Sequence, residues 1–328
     1  MRFGIPIVPA VALLVAVAIL VNLYIAAPRR GGEGELGSLV ADADIAADPA
    51  PKAEETADGA PPTQGAEVAV SAAPMAPEIR RRGIDTEWER RSVPVVPLPD
   101  KAQVAIVIDD LGIDRAKAMR VIAMPAPLTL SFLPYGRDAP ALAILGRQRG
   151  HEILLHMPMQ AVGGENPGPQ ALTVDLAAVE IRARVGAALD RFGDAVGLNN
   201  HMGSRFTAER RLLIPVVEEL ASRGLIFVDS RTGPTSQGAH AAEEIGIPTA
   251  SRDIFLDNDP SSDEIRKQLD ELERVARRRG HAVAIGHPHE TTMAVLSAWL
   301  PVSAERGIQI VPVSAIVRKA IERGHAPH

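Results

Sequence analysis

The chain has 328 residues, enough for one large domain or two ordinary ones with extensions, and only 3% of them are aromatic. The formal net charge of −6 gives no sign of a basic surface for nucleic acid, and so few aromatic rings leave little for stacking on sugars or bases. The chain has no cysteine, which excludes disulfides, thiol catalysis, cysteine-ligated metals and a lipidated cysteine. Any metal must therefore be bound by histidine and carboxylate side chains.

The N-terminal region, residues 1–30, predicts a membrane segment. Residues 5–27 are uncharged, and at about 1.5 Å per residue this run is long enough to cross a hydrocarbon core of roughly 30 Å. Two interpretations stay open: a retained transmembrane anchor, which we favour, or a cleaved signal peptide, since Ala26 and Ala27 are small. We expect an inner-membrane anchor with a periplasmic domain, or a secreted protein if the segment is cleaved.

Residues 31–99 predict a disordered, acidic tether rich in proline and alanine. From residue 31 to residue 78 the only basic side chain is Lys52, against ten acidic ones. Such a segment cannot bury enough apolar surface to fold, and its like charges keep it extended. The last residues, 324–328, are expected to be a short tail.

Residues 100–323 predict one domain in which strands and helices alternate. Apolar runs predict strands at 102–108, 128–133, 151–155, 194–198, 225–229, 248–252, 281–286 and 308–313. Amphipathic stretches predict helices at 114–122, 138–149, 175–191, 208–223, 262–279, 290–299 and 314–323. Strands that are apolar along their whole length are typical of a parallel sheet covered by helices. We therefore predict an α/β fold, a distorted (β/α) barrel of about seven parallel strands.

Polar side chains stand at the C-terminal ends of five predicted strands, the edge where parallel α/β folds place their active sites. They are Asp109 and Asp110, His156, the group Asn199, Asn200 and His201, then Asp229, and finally His287 and His289. Each group alone has a structural alternative, since aspartates cap helices, asparagines occupy turns and buried histidines are often satisfied by neighbours. Five coincident strand ends favour a single site.

The chemistry of these side chains is that of a metal-assisted hydrolase. One carboxylate and two imidazoles can hold a divalent ion and leave coordination positions open, as catalytic zinc sites require. A second carboxylate can serve as a base, and a further histidine can protonate a leaving group. Neither G-x-S-x-G nor H-E-x-x-H occurs near these strand ends. The pattern favours hydrolysis of an amide or ester.

Five motifs together resemble the divergent polysaccharide deacetylase (YibQ-like) family, a distant branch of the NodB-type carbohydrate deacetylases. They are IVIDDLG (106–112), RGHEILLHMPM (149–159), GLNNHMGSRFT (197–207), FVDSRT (227–232) and AIGHPHET (284–291). The resemblance covers about residues 100–320. It implies a distorted (β/α) barrel of the glycoside hydrolase and deacetylase kind, which removes N- or O-acetyl groups with a divalent metal, most often Zn²⁺.

Matched position by position, the resemblance implies that Asp109 is the catalytic base and Asp110 a metal ligand. His156, at the end of the Gly150 to His156 signature, is implied as the second ligand. Ordinary deacetylases place another histidine four residues further on, where this chain has Gln160, so His201 is the expected third ligand.

The later motifs imply the remaining roles. His287 takes the place of the general acid, with His289 as an outer alternative. Residues expected to bind substrate or support the site are Asn199, Asn200, Ser204 and Asp229. The Arg-Pro-Tyr motif that helps to build the oxyanion site in ordinary deacetylases has no clear match in this chain.

Two functions of different classes follow. The first is a membrane-tethered, zinc-dependent hydrolase that removes acetyl groups from an envelope polysaccharide or peptidoglycan, with no nucleic-acid partner. The alternative is a non-catalytic binding or regulatory module of the cell envelope with a deacetylase fold, which Gln160 and the missing motif favour. The complete set of aspartates and histidines favours the enzyme. A weaker third option is another substrate, because the loop 161–171 could reshape the mouth of the site.

Overall fold

The structure is a computed structural model and describes residues 86–125 and 127–324. The strands in these residues are β1 (Ala102–Leu111), β2 (Thr129–Phe132), β3 (Glu152–Met159), β4 (Ala195–Met202), β5 (Ile226–Asp229), β6 (Thr249–Ser251), β7 (Ile254–Phe255), β8 (His281–Gly286) and β9 (Ile308–Ile310). The helices are α1 (Glu87–Arg91), α2 (Arg115–Ile122), α3 (Ala139–Gln148), α4 (Ala178–Leu189), α5 (Arg210–Ser222), α6 (Gly238–Ile245), α7 (Ser262–Arg279), α8 (Glu290–Trp299) and α9 (Val313–Glu322).

Helix α7 shows how local sequence sets these bounds. The Ser261 side chain accepts a hydrogen bond from the backbone N–H of Glu264 at the first turn, which also carries two acidic residues. The last turn holds three arginines, whose charge suits the negative end of the helix dipole. Gly280 then ends the helix with φ +81°, a left-handed conformation that costs glycine little.

All strand pairs are parallel, and β1 pairs with three neighbours. The strand order is β6-β5-β4-β3-β2-β1-β8-β7. One edge of β1 pairs with β8, while the other edge pairs with β9 at its start and β2 at its end. The predicted α/β fold with a parallel, barrel-like sheet is thus confirmed.

The two outer strands of the sheet, β6 and β7, are neighbours along the chain, so the sheet must curl to bring its two edges together. Two residues, Arg252 and Asp253, join them. The Arg252 N–H donates to the carbonyl of Asp229 in β5, and the Asp253 N–H donates to the carbonyl of Val283 in β8. The link therefore ties opposite edges of the sheet together and closes the barrel along this seam.

The predicted strands match eight of the nine strands in the described residues. The ninth, β7, has two residues and is too short to give an apolar run. Helices α1 and α6 were also not predicted. Helix α1 lies upstream of residue 100, and its Trp88 is only 1% exposed, so packed structure begins before the predicted domain boundary.

Side chains alternate between the inside of the barrel and the helices around it. Along β1, Val104, Ile106 and Ile108 pack with the surrounding helices, whereas Ala105 and Val107 belong to a smaller apolar cluster enclosed by the strands. In a strand, the next side chain on the inward face is two residues further on. After the last inward apolar residue of four strands, that position is occupied by Asp109, His156, His287 and Arg252. The fold itself therefore directs these side chains to one place.

Helix α9 covers the opposite end of the barrel, where the strands begin. The backbone N–H of Val313 donates to the Thr129 hydroxyl at 3.0 Å, and that of Ser314 donates to Oε1 of Glu152 at 3.0 Å. The first turn of the helix is thus fixed to strands β2 and β3. This end of the barrel is sealed by packing, and the other end is left open.

Within residues 86–125 and 127–324, no helix is long and apolar enough to cross a membrane. The predicted anchor or signal segment at residues 1–30 lies outside this part of the chain, as do the predicted tether up to residue 85 and residues 325–328 of the tail.

Candidate active site

Strand β1 ends in an irregularity that turns two successive carboxylates toward the same cavity. Successive residues of a regular strand point to opposite faces, so only Asp109 would face inward. The pairing of β1 with β2 shifts register between Ile108 and Leu111, and Asp110 has φ +57°, a left-handed conformation uncommon outside glycine. Both aspartates line the cavity as a result.

Three potential metal ligands meet at the mouth of the barrel. Oδ1 of Asp110 lies 2.9 Å from Nδ1 of His201 and 3.3 Å from Nε2 of His156. The two imidazole nitrogens are 3.2 Å apart. Burial disfavours the charge of Asp110, but the two imidazoles outweigh burial and hold the pKa of this carboxyl well below its usual range. These three atoms form a compact triangle, which we call the ligand triangle.

Asn199 fixes the tautomer of His156. Strand pairing sets Asn199 beside His156, and its Nδ2 donates to the Asp109 carboxylate at 2.9 and 3.1 Å. The orientation of the amide follows, because a carboxylate can only accept, so Oδ1 of Asn199 must face Nδ1 of His156 at 2.9 Å. Nδ1 therefore carries a proton, so Nε2 is the nitrogen of His156 that can give its lone pair to a metal ion.

The ligand triangle fits a divalent cation. Oδ1 of Asp110 is buried and receives no hydrogen bond of good geometry. Nε2 of His156 and Nδ1 of His201, once deprotonated, each offer a lone pair beside this oxygen, so the three atoms can share one cation. Ligands about 2.1 Å from one ion lie roughly 3.0–3.4 Å apart, close to the observed spacings. The structure thus brings together the sequence-predicted set Asp110, His156 and His201.

Asp109 lies beside the ligand triangle and is 2% exposed. Its Oδ2 is 3.6 Å from Nε2 of His156. Burial raises the pKa of this carboxyl, opposed by the charges of His156 and His287 and by the hydrogen bond from Asn199. A buried carboxylate with a raised pKa next to a metal site has the properties of a general base.

His287 faces the ligand triangle from strand β8 and is held by a carboxylate that the sequence analysis missed. Its Nδ1 lies 2.9 Å from Oδ1 of Asp257, and its Nε2 lies 3.9 Å from Oδ2 of Asp110. Burial opposes protonation, but the hydrogen bond to Asp257 and the nearby aspartates raise the pKa of His287 to about 9. The imidazole therefore keeps its proton at neutral pH, as a general acid must.

Asp257 is itself rigidly placed. Its Oδ2 accepts from the backbone N–H of His287 at 2.7 Å and from the hydroxyl of Thr292 at 2.8 Å. The hydrogen bonds to His287 are the main influence that lowers the pKa of Asp257 against the opposing effect of burial. Asp257 follows the two-residue strand β7, so no apolar run in the sequence marked it as a strand-end residue.

The remaining predicted residues lie at the cavity or next to it, with different uses. Asn200 and Ser204 line the cavity, and both also hold loops: Asn200 accepts from the Ser230 N–H, and Ser204 accepts from the Val162 N–H. Asp229 does not line the cavity, since its carboxylate accepts hydrogen bonds from the loop that follows it. His289 is exposed at the start of α8, with its ring 5.7 Å from that of His287.

Gln160 has a structural use in place of metal binding. Its Oε1 accepts from the backbone N–H of Val174 at 3.0 Å, and its carbonyl accepts from the N–H groups of Arg205 and Phe206. The side chain thus pins the loop after β3. The third position of the ligand triangle is filled from the neighbouring strand β4 by His201.

The cavity has a volume of about 790 Å³ and opens at the C-terminal ends of the strands. Besides the residues already described, its lining includes Ser230, Arg252 and Phe255, none of which the sequence analysis singled out. Ser131, from β2, also supports the site from below, since its hydroxyl donates to Oδ1 of Asn199 at 2.5 Å. A cavity of this size has room for a sugar unit beside the ligand triangle.

Comparison with known proteins agrees with this architecture. An uncharacterized protein of Haemophilus influenzae is 36% identical over 200 residues, which cover 61% of this chain and 71% of that protein. The uncharacterized protein YibQ of Escherichia coli is 34% identical over 194 residues, or 59% of this chain and 61% of YibQ. The chain thus spans somewhat less than two thirds of YibQ.

A solved structure is also similar. The crystal structure of an uncharacterized protein from Agrobacterium tumefaciens C58 is 32% identical, with a TM-score of 0.68, and the match covers 70% of this chain and 94% of that one. The family model described as divergent polysaccharide deacetylase matches residues 106–317, which include every member of the ligand triangle and both Asp109 and His287. The chain belongs to the divergent polysaccharide deacetylase family.

Proposed function

We propose that this protein is a metal-dependent hydrolase that removes acetyl groups from a polysaccharide. The observation that carries the proposal is the meeting, in one cavity, of the ligand triangle, the buried Asp109 and the Asp257-supported His287. A metal alone would be consistent with a structural site. A base and an acid on either side of it are what acyl hydrolysis needs.

Asp110, His156 and His201 would hold the ion. A divalent metal bound there, which we propose is Zn²⁺, would supply Lewis acidity to polarise an acetyl carbonyl and lower the pKa of water. Asn199 would hold the Nδ1 proton of His156, so that Nε2 is the nitrogen offered to the ion.

Asp109 would accept a proton from the attacking water, because burial has raised the pKa of its carboxyl. The two hydrogen bonds from Nδ2 of Asn199 hold this carboxylate in a fixed orientation. His287 would then donate its Nε2 proton to the leaving amine or alkoxide, while Asp257 holds its Nδ1–H. The two groups thus take opposite roles, one accepting a proton and the other donating one.

The substrate is proposed to be an acetylated envelope polysaccharide or peptidoglycan. The support for it is the family, together with the predicted membrane segment at residues 1–30, which would place the domain outside the cytoplasm. On this proposal the acidic stretch 31–85 holds the domain away from the membrane surface.

The test is release of acetate by the full chain, purified in a mild detergent and loaded with zinc, from N-acetylated chitooligosaccharides and from acetylated peptidoglycan fragments. We expect release that chelator abolishes and that His287→Gln reduces by about 10²–10⁴-fold, the usual contribution of a general acid. His289→Gln is the matched control and should leave the rate within about twofold, because His289 is exposed and two residues away.

The proposal fails if neither N- nor O-acetylated glycans release acetate while the zinc-loaded chain still binds them. That result would favour the binding or regulatory module, a deacetylase fold without turnover.

A further inference from the structure

Arg252 is the one arginine or lysine that lines the cavity among residues 86–125 and 127–324. It continues the inward series of β6 after Ala250 and lies in the two-residue link that closes the barrel. Apart from the imidazoles, the other ionisable groups of the lining are carboxylates: Asp109 and Asp110 face the histidines, and Glu165 is exposed on the loop after β3. The role of Arg252 is not explained by the proposed mechanism.

The guanidinium of Arg252 is held in one orientation. Nε donates to the carbonyl of Ser230 at 2.6 Å, and Nη2 donates to the carbonyl of Arg231 at 2.7 Å. Its central carbon lies 4.7 Å from the centre of the Phe255 ring, a cation–π contact. Nη1 makes no hydrogen bond in the described ranges, so a fixed guanidinium keeps two N–H donors free.

The charge of Arg252 has no carboxylate partner in the described part of the chain. The nearest acidic influences are Asp229 and Asp109, yet burial and the neighbouring Arg231 outweigh them and lower the pKa of Arg252. The Asp229 carboxylate is already committed to Ser236 and to the backbone of its own loop. A half-buried guanidinium without a counter-ion costs free energy that an anionic ligand would recover.

Arg252 stands close to the proposed chemistry without taking part in it. The ring of Phe255 contacts the guanidinium on one side and lies 5.5 Å from the His287 ring on the other, measured between ring centres. A group bound by Nη1 would therefore be separated from His287 by about the width of the Phe255 ring. That separation places it on the same sugar as the reacting acetyl group or on the next one.

We propose that Arg252 binds a carboxylate of the substrate, so that the site selects an acidic saccharide over a neutral one. This inference rests on the proposed function, which locates the reacting bond near His287. Two sources of carboxylate share this chemistry, the lactyl ether of a muramic-type sugar and the carboxyl of a uronic acid. In both, the free edge of a fixed guanidinium recognises a carboxylate with a charge-assisted hydrogen bond.

The test is calorimetric binding to the zinc-loaded full chain in mild detergent. The probes are N-acetylglucosaminyl-N-acetylmuramic acid, a hyaluronan tetrasaccharide and the neutral N,N′-diacetylchitobiose. The first and third probes differ by one lactyl group. We expect at least one acidic probe to bind about tenfold or more tighter than the neutral one, the usual scale of a charge-assisted hydrogen bond.

Because a bound cation would also attract carboxylates, substitutions must identify Arg252 as the cause. Arg252→Gln should reduce the preference to within about twofold while leaving the affinity for the neutral disaccharide and the zinc content unchanged. Arg231→Gln is the matched control: Arg231 neighbours Arg252 but does not line the cavity, so the preference should persist.

Equal affinity for acidic and neutral probes, no binding of any probe, or a preference that survives Arg252→Gln would each overturn the inference. Acetate release is measured separately from binding. An Arg252-dependent preference without acetate release would refute the proposed function alone, whereas acetate release without the preference would refute this inference alone.

Discussion

The two ends of strand β3 carry the same kinds of side chain in opposite situations. At its start, His151 and Glu152 are both buried and Glu152 contacts helix α9, whereas His156 lies four residues after Glu152 at the open mouth of the barrel. Nδ1 of His151 accepts from the Leu128 N–H and its Nε2 lies 3.1 Å from the Ile122 carbonyl, so both nitrogens are satisfied. Only His156 has a ring nitrogen, Nε2, that faces other potential metal ligands.

The buried carboxylates at the two ends differ in the same way. Burial raises the pKa of Glu152 and of Asp109 alike. Glu152, however, accepts from the N–H and the hydroxyl of Ser314 and has no access to the cavity. A buried histidine or carboxylate with a shifted pKa therefore does not identify an active site, and what distinguishes one is unpaired ligand atoms facing an open cavity.

The largest expected effect separates these two carboxylates directly. Asp109→Asn should reduce acetate release by about 10²–10⁴-fold, because an amide cannot accept the proton, while zinc content stays unchanged. Glu152→Gln is the matched control at the sealed end and should retain the parent rate. Loss of zinc in Asp109→Asn would show that Asp109 is a ligand, against the roles assigned here.

Two neighbouring asparagines of strand β4, Asn199 and Asn200, should differ in their effect on zinc affinity. Asn199→Leu removes the acceptor that fixes the proton on Nδ1 of His156, so zinc affinity should fall about 10–100-fold, as for other groups that orient a ligand. Asn200→Leu affects only the loop contacts to Met202, Ser230 and Thr232 and should leave zinc affinity within about twofold. Equal losses in a chelator competition titration would contradict the tautomer argument.

A smaller effect is expected in the stability of the sealed end. Removing the ring of His151, as in His151→Leu, leaves the Leu128 N–H and the Ile122 carbonyl buried without partners, which costs about 1–3 kcal/mol each at most. Denaturant unfolding should show this loss, with zinc binding retained in the folded protein. A loss of zinc affinity without a loss of stability would show that His151 supports the metal site and not the fold, against this prediction.

The smallest effect is a pH dependence at Glu152. Burial, opposed by the hydrogen bonds from Ser314, raises the folded-state pKa of Glu152 above its ordinary value of 4.5. The unfolded chain therefore releases this proton first, so the contribution of Glu152 to stability is present below about pH 4.5 and is lost as the pH rises through the raised folded pKa. The free energy of unfolding of Glu152→Gln minus that of the parent should therefore increase as the pH rises from about 4.5 through the raised folded pKa. A difference that is constant with pH would show that the carboxyl ionises freely in the fold.

Much of the site could be predicted because parallel strands bring their C-terminal ends to one edge. The apolar runs predicted the strands that carry Asp109, His156, His201 and His287, and two-residue alternation explains why three of these side chains face inward. The sequence could not reveal Asp257, which follows a strand of two residues, and nothing in it distinguished Arg252 at the end of the predicted strand 248–252. Nor could it reveal the Asn199 bridge, which depends on the register between β3 and β4 and on the approach of β1.

The measurement that tests the central claim most directly is the zinc content of the full chain, purified in mild detergent without chelator and resupplied with zinc. The account predicts about one ion per chain, lost in both His156→Ala and His201→Ala and retained in folded His151→Leu, because only the first two remove corners of the ligand triangle. No bound metal in the parent chain, or zinc that persists in both His156→Ala and His201→Ala, would contradict it.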